Sequence, residues 1–277
     1  MLKIGIPIGM GKTQFQINRT YVNYIANAGY DPVLITPSTS ITAIAEYCDG
    51  LLLPGGIDLD PVFYFEDNLA SHCVSPTKDN FERECFYAFI NQSKPIFAIC
   101  RGFQLIAREF IRKGLAGSSY LRYWQHIKDH RNTVELDVDR DVRTHSISLR
   151  TDRLYGVEGK EPEIDFVNSI HHQGLILRVP KASDFLKPVR QFVPLACTKL
   201  GLPNKTSGYV VEAFSIKGWN KAPIRAVQWH PEELNDIALL KYFFENNKQG
   251  ASNYVMKKEI PNEKHQIPKM AHNNKKD

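Results

Sequence analysis

The sequence predicts an α/β protein with a mostly parallel sheet covered by helices on both faces. Three observations carry that expectation. Short strand-like runs at residues 3–8, 31–36, 50–53 and 95–99 alternate with segments of helical period. The run Gly50-Leu51-Leu52-Leu53 is that of a buried strand, and Pro54-Gly55-Gly56 follows at its carboxyl end, where open parallel sheets carry their sites. Immediately after Cys100 the period changes from that of a strand to that of a helix. At 277 residues the chain is long enough to bury a sizeable core.

Composition narrows the functional classes. The apolar and charged fractions, 43% and 23%, are those of an ordinary soluble protein, and no apolar run approaches the length of a membrane span. The apolar start is broken by Gly5, Pro7 and Gly9, which suits a first core strand better than a signal peptide. Of the net charge of +5, +3 falls beyond residue 248, so the body is close to balanced and no nucleic-acid groove is expected. Five cysteines without a Cys-x-x-Cys pair offer neither a disulfide framework nor a zinc ribbon and fit a reducing cytoplasm.

Taken in order, the chain opens on a strand that ends near Ile8. Gly9-Met10-Gly11-Lys12-Thr13 lacks the first glycine of a phosphate loop, whose place is taken by Ile6, so it reads as a polar turn into a helix. That helix, residues 16–28, turns Tyr21, Ile25 and Ala28 to the core and stops at Gly29. A second parallel strand at 31–36, a helix at 40–47 and the buried strand at 50–53 follow. Residues 57–76 read as a loop at a pocket mouth, rich in Asp, Pro and aromatics. Asp79 and Glu82 have the spacing of a capping box at the start of the next helix, which gives both a structural role.

Pro95-Ile96-Phe97-Ala98-Ile99-Cys100-Arg101-Gly102-Phe103-Gln104 is the centre of the chain. A strand runs straight into a helix whose Phe103, Ile106 and Phe110 recur at helical spacing, and Cys100 sits on the turn. Such a turn lifts its residue above the sheet edge and sets it at a helix N-terminus, where a thiolate is favoured. Gly102 leaves room for the close turn, and the Arg101 amide is placed to donate to an oxyanion. Ala98 stands where such elbows usually carry glycine.

Downstream, His126 and His130 with Asp129 have helical metal-ligand spacing, but no adjoining ligands complete a set, and no metal is expected. Residues 133–138 and 145–150 read as strands of a small antiparallel subregion. Asn168-Ser169-Ile170-His171-His172-Gln173 concentrates polar groups that suit the charged ends of a small substrate. Residues 208–216 and 224–229 form a strand pair leading to His230-Pro231-Glu232, and a helix at 232–244 carries Leu234, Ile237, Leu240 and Phe244 on one face. A thiol needs a base, and the base needs a third group to orient it; Cys100, His230 and Glu232 supply one of each. Residues 247–277 are polar and lysine-rich and read as a disordered or loosely docked tail outside a domain of residues 1–246.

The phrases around Cys100 and His230 resemble the two signatures of class I glutamine-amidotransferase-like proteins. Leu53-Pro54-Gly55-Gly56-Ile57-Asp58-Leu59-Asp60-Pro61, Lys78-Asp79-Asn80-Phe81-Glu82 and the run from Asn168 to Gln173 make the chain most similar to the γ-glutamyl-γ-aminobutyrate hydrolase branch, the C26 peptidases. That resemblance implies a flavodoxin-like fold, a catalytic Cys100, His230 and Glu232, and oxyanion donors at Gly55 or Gly56 besides Arg101. It implies a substrate-binding role for Gln104, His171, His172 and Gln173, and no metal or cofactor. The expected reaction is hydrolysis of a γ-glutamyl amide through a thioester. The expected partner is a small γ-glutamyl substrate, with neither nucleic acid nor membrane involved, and a homo-oligomer is compatible with the sequence. A glutaminase feeding ammonia to a separate synthetase, a glutamyl transferase, and an idle binding protein on the same fold remain as alternatives.

Overall fold

The computed structural model describes residues 1–11, 13–115, 121–128, 130, 138–158, 162–179, 185–200 and 207–248. Its framework is five parallel strands: β1 (Lys3–Pro7), β4 (Asp31–Ile35), β5 (Gly50–Leu53), β6 (Ile96–Ile99) and β13 (Ile224–Val227). They lie in the order β4-β1-β5-β6-β13, the doubly wound flavodoxin-like arrangement the sequence predicts. The short strands β2 (Gly9–Met10) and β3 (Phe15–Gln16) make a separate hairpin.

Beyond β13 the same sheet continues antiparallel through β12 (Ser207–Ile216), β11 (Phe192–Leu200), β8 (His145–Leu149) and β9 (Glu163–Val167). One edge of β12 is shared. Ala213–Ile216 pair with β13, whereas Ser207–Val211 pair with β10 (Gly174–Val179), which in turn holds β7 (Leu121–Trp124). Glu212 therefore stands where β12 exchanges one neighbour for another.

Helices cover both faces, and four of them begin where a side chain accepts from an unpaired amide, whereas those starting at Arg101 and Thr151 have no side-chain cap. On one face α2 (Ile41–Tyr47), α3 (Pro76–Asn91) and α4 (Arg101–Arg112) bury Phe86, Phe89, Phe103 and Phe110 against the sheet. On the other, α1 (Arg19–Asn27) and α6 (Ile237–Glu245) bury Tyr24, Ile25, Phe243 and Phe244; the one-turn α5 (Thr151–Leu154) adds Leu154.

Three expectations change. The helix predicted from residue 16 starts at Arg19, because Phe15 and Gln16 are used by the hairpin and Asn18 caps the helix. Asp79 and Glu82 do not form a capping box: Ser75 is the N-cap, with Pro76 first in α3, and the two acids turn inward. The last helix starts at Ile237 with Asp236 as its cap, since Glu233 and Leu234 N–H groups close a turn on the His230 carbonyl. The antiparallel strands are as expected at 145–150, but the strand predicted at 133–138 and the tail from 249 lie outside the described residues, except exposed Val138, which is not in a strand. No helix among the described residues is long and apolar enough to cross a membrane.

Candidate active site

Cys100 joins β6 to α4 with φ 48° and ψ −102°, a backbone state that costs a non-glycine residue about 1–3 kcal/mol. Its N–H donates to Val227 O at 2.8 Å, and its carbonyl accepts the first helical bond, from Gln104 N–H at 3.1 Å. The Arg101 amide precedes that first bond, so it belongs to the donor-rich end of α4. Helix and strand can meet this closely only at glycine: a Cβ on Gly102 would fall 2.5 Å from Leu53 O.

The partner strand brings the base. Val227 of β13 is in register with Ile99 of β6, so the chain leaving β13 delivers His230 beside the residue that follows Ile99. His230 Nδ1 and Glu232 Oε1 are 2.6 Å apart, both groups buried, which leaves Nε2 for the thiol. Burial alone would lower the His230 pKa, but Glu232 and Cys100 outweigh it and raise the pKa from 6.5 to about 10. Tyr21 OH lies 3.4 Å from the same Nδ1.

His230 is also held by its backbone. Its N–H donates to Asn168 Oδ1 at 3.0 Å, while Asn168 Nδ2 donates to His230 O at 3.2 Å and to Arg140 O at 2.6 Å. The sequence places Asn168 in a polar run without marking it as a partner of His230. Tyr21 was read as a core residue. Neither carries a local signal of its function, because both act across more than 60 positions of chain.

Cys100 and His230 face a cleft of about 720 Å³ that also reaches Tyr21, Gly56, Lys78 and Arg140. A Cβ on Gly55 would lie 2.9 Å from His230 Cε1 and 3.5 Å from Cys100 Cβ, so this glycine permits the close approach. The Gly55 N–H, one of the expected oxyanion donors, donates to Tyr21 OH at 3.0 Å. Gly56 lines the cleft, and the Arg101 amide lies in the first turn of α4. The Arg101 side chain is turned away and buried in ion pairs with Asp79 and Glu82, and Lys78 pairs with Glu82 as well. Burial and the nearby Arg101 lower the Lys78 pKa to about 7, against the pull of Asp79.

The residues expected to bind substrate do not line this cleft. Gln104 Nε2 donates to Gln173 O at 3.1 Å, and the Gln173 side chain is held by Tyr123 OH at 2.6 Å and Ser71 Oγ at 2.7 Å. His172 Nε2 is 2.9 Å from Asp58 Oδ2. His171 turns towards Glu212, with Nε2 3.6 Å from Oε2. These four side chains are committed to internal partners, and it is Ile170 from their segment that reaches the cleft. His126 and His130 are separated: the His126 ring lies 5.8 Å from that of His172, whereas His130 joins His145 and His171 around Glu212.

A family model described as peptidase C26 matches residues 9–232. The chain is 27% identical over 219 residues to the glutamine amidotransferase-like protein YvdE of Lactococcus lactis, covering 77% of this chain and 79% of the relative. It is 25% identical over 250 residues to the γ-glutamyl-γ-aminobutyrate hydrolase PuuD of Escherichia coli, covering 88% and 89%. Among solved structures, the glutaminase domain of Trypanosoma brucei CTPS with bound acivicin superposes with a TM-score of 0.55 at 12% identity, over 91% of this chain and 94% of that one, a likeness of fold.

Proposed function

The chain belongs to the peptidase C26 family, and on that premise we propose that it hydrolyses a γ-glutamyl amide through a Cys100 thioester. The observation that carries the reading is the joining of three groups at one sheet edge: a strained cysteine at a helix N-terminus, a histidine with a pKa raised to about 10, and a buried carboxylate 2.6 Å from that histidine. The raised pKa, with Glu232 its largest upward cause, favours the protonated imidazole.

In this mechanism the Cys100 proton passes to His230 Nε2, and Glu232 stabilises the imidazolium. Sulfur attacks the γ-carbonyl carbon, and the amides of Arg101 and Gly56 receive the developing negative charge. As the intermediate collapses, the C–N bond breaks and His230 returns its proton to the leaving amine. Water, deprotonated by the same imidazole, then attacks the thioester and releases glutamate and the thiol. Arg140, held by Glu233 at 2.7 Å, gives the cleft a cationic side chain for the α-carboxylate of the glutamyl head, and Lys78, paired with Glu82 and with its pKa lowered to about 7, a weaker one. γ-Aminobutyrate is the leaving amine suggested by the name of the Escherichia coli relative.

A second reading rests on the name of the Lactococcus lactis relative: turnover of glutamine to supply ammonia to a separate synthetase. Both readings use the same three residues. Glutamate release should be measured from γ-glutamyl-γ-aminobutyrate, other γ-glutamyl amines and glutamine, with wild type and Cys100→Ala. Release from a γ-glutamyl amine but little from glutamine, lost in the variant, is the expected result. Glutamine turnover alone favours the ammonia reading. No cleavage, or equal cleavage by Cys100→Ala, overturns both.

A further inference from the structure

Glu212 is fully buried at the point where β12 changes neighbours. The ionisable side chains paired with its carboxylate among the described residues are three imidazoles, with no lysine or arginine. His130 Nε2 and His145 Nε2 lie 3.4 and 3.3 Å from Oε1, and His171 Nε2 lies 3.6 Å from Oε2. Ligand atoms about 2.0–2.2 Å from a tetrahedral Zn²⁺ stand about 3.3–3.6 Å apart, so the carboxylate-to-imidazole spacings are already those of a coordination shell. The ligating atoms of His130, His145 and Glu212 fall within 4.8 Å of one another.

Proton placement strengthens the case. His130 Nδ1 is 3.0 Å from Lys128 O, and His171 Nδ1 is 2.9 Å from Gln173 O. A carbonyl can only accept, so each Nδ1 carries the hydrogen, and a neutral ring then directs the Nε2 lone pair at the carboxylate. Carbonyl bonds of this kind fix the tautomer of metal-bound histidines. His171 Nε2 and Glu212 Oε2 are buried without a hydrogen-bond partner. Electron pairs facing electron pairs in a dry site call for a cation between them.

We propose that His130, His145 and Glu212 form the core of a buried structural site for a divalent transition-metal ion of the Zn²⁺ type, with His171, which lies outside that cluster beside the second carboxylate oxygen, closing on the ion as the fourth ligand. Three imidazoles and one carboxylate suit this borderline metal and fill four positions, leaving none for a reacting water. Thr198 Oγ1 lies 3.0 Å from His145 Nε2 and donates its own hydrogen to Ser146 O. His145 thus carries its hydrogen on Nε2 when metal-free and shifts to the Nδ1 tautomer on loading. The ion would fasten the segment of His171 to β8 and β12. That segment includes Asn168, which holds His230, and Ser169, whose Oγ donates to His130 O at 2.6 Å. The site is separate from the cleft and does not depend on the hydrolase reading.

The test uses untagged full-length protein, purified without chelators, with metal content measured by inductively coupled plasma mass spectrometry. About one Zn²⁺ per chain is expected in wild type and in Cys100→Ala, falling at least tenfold in His145→Ala and Glu212→Gln. Chelator-stripped wild type titrated with Co²⁺ should develop visible bands of tetrahedral strength, saturating at one equivalent, without the near-ultraviolet band of a thiolate ligand. That spectrum stands on its own should the variants not fold. Three results overturn the proposal: a folded wild type that binds neither ion, a thiolate band, or metal lost in Cys100→Ala but kept in Glu212→Gln.

Discussion

Replacing Asn168 by alanine tests how His230 is positioned, without touching any group that meets substrate. The substitution removes three hydrogen bonds at a fully buried position. The His230 carbonyl keeps its bonds from the Glu233 and Leu234 amides, but the His230 N–H loses Asn168 Oδ1, the acceptor it has in the structure. One buried orphaned donor costs about 1–3 kcal/mol, and the two lost donor bonds add about 0.5–1.5 kcal/mol each, for a total of about 2–6 kcal/mol in urea denaturation. The kinetic effect comes from geometry. A His230 that can drift by about 1 Å is expected to lower kcat by roughly 10–100-fold with KM little changed, since substrate contacts are intact. Asn168→Asp keeps the acceptor for His230 N–H but sets an oxygen against His230 O, so it should recover part of the stability and little of the rate. Steady-state kinetics on γ-glutamyl amides, with circular dichroism to confirm folding, would decide. A folded Asn168→Ala with kcat within twofold of wild type refutes the clamp.

Three further expectations follow from the same geometry. Because the His230 pKa is raised to about 10 with Glu232 as the largest contribution upward, Glu232→Gln should move the alkaline limb of kcat/KM down by at least about one pH unit. The same shift stabilises the fold below about pH 6.5 and is lost as pH rises through about 10, so urea midpoints of wild type and Glu232→Gln should converge at high pH; parallel curves would contradict it. Gly102→Ala forces a Cβ to within 2.8 Å of Leu53 Cβ and closer still to its carbonyl, and should cost about 1–3 kcal/mol in thermal or urea unfolding; a change below about 0.5 kcal/mol would show that the elbow yields. Arg101→Met leaves Asp79 and Glu82 buried with less compensation and should cost about 3–5 kcal/mol, an effect visible as a lower urea midpoint and absent if the pair is solvated.

Local pattern is enough for the parallel half of the sheet and for the three groups at its edge. A buried strand and an amphipathic helix declare themselves through periods of 2 and 3.6, and a period change at Cys100 or a proline after His230 marks where each strand ends. Parallel strands in doubly wound order then bring strand ends together, so Cys100 and His230 meet once β6 and β13 pair. The sequence likewise marks the glycines at 55, 56 and 102 beside the reacting groups, although not which amide remains available. That depends on Tyr21, a residue whose spacing marks it as core and whose hydroxyl reaches the Gly55 amide from another element.

Polar side chains carry no such period, and their roles are settled by what folding places opposite them. Gln104, His171, His172 and Gln173 have the chemistry to hold a glutamyl head, yet each is taken up by an internal partner supplied from a distant segment: Gln173, Glu212, Asp58 and Tyr123. Asp79 and Glu82 match a helix cap by spacing and instead compensate a buried arginine, because Ser75 reaches the helix amides first. Fold class and the cysteine, histidine and carboxylate of the cleft are thus written along the chain, where backbone geometry and burial repeat with the strand and the helix. Whether a given polar group faces substrate, another side chain or a cation is settled in three dimensions, since a buried donor or acceptor must be satisfied by whichever partner the fold brings within about 3 Å.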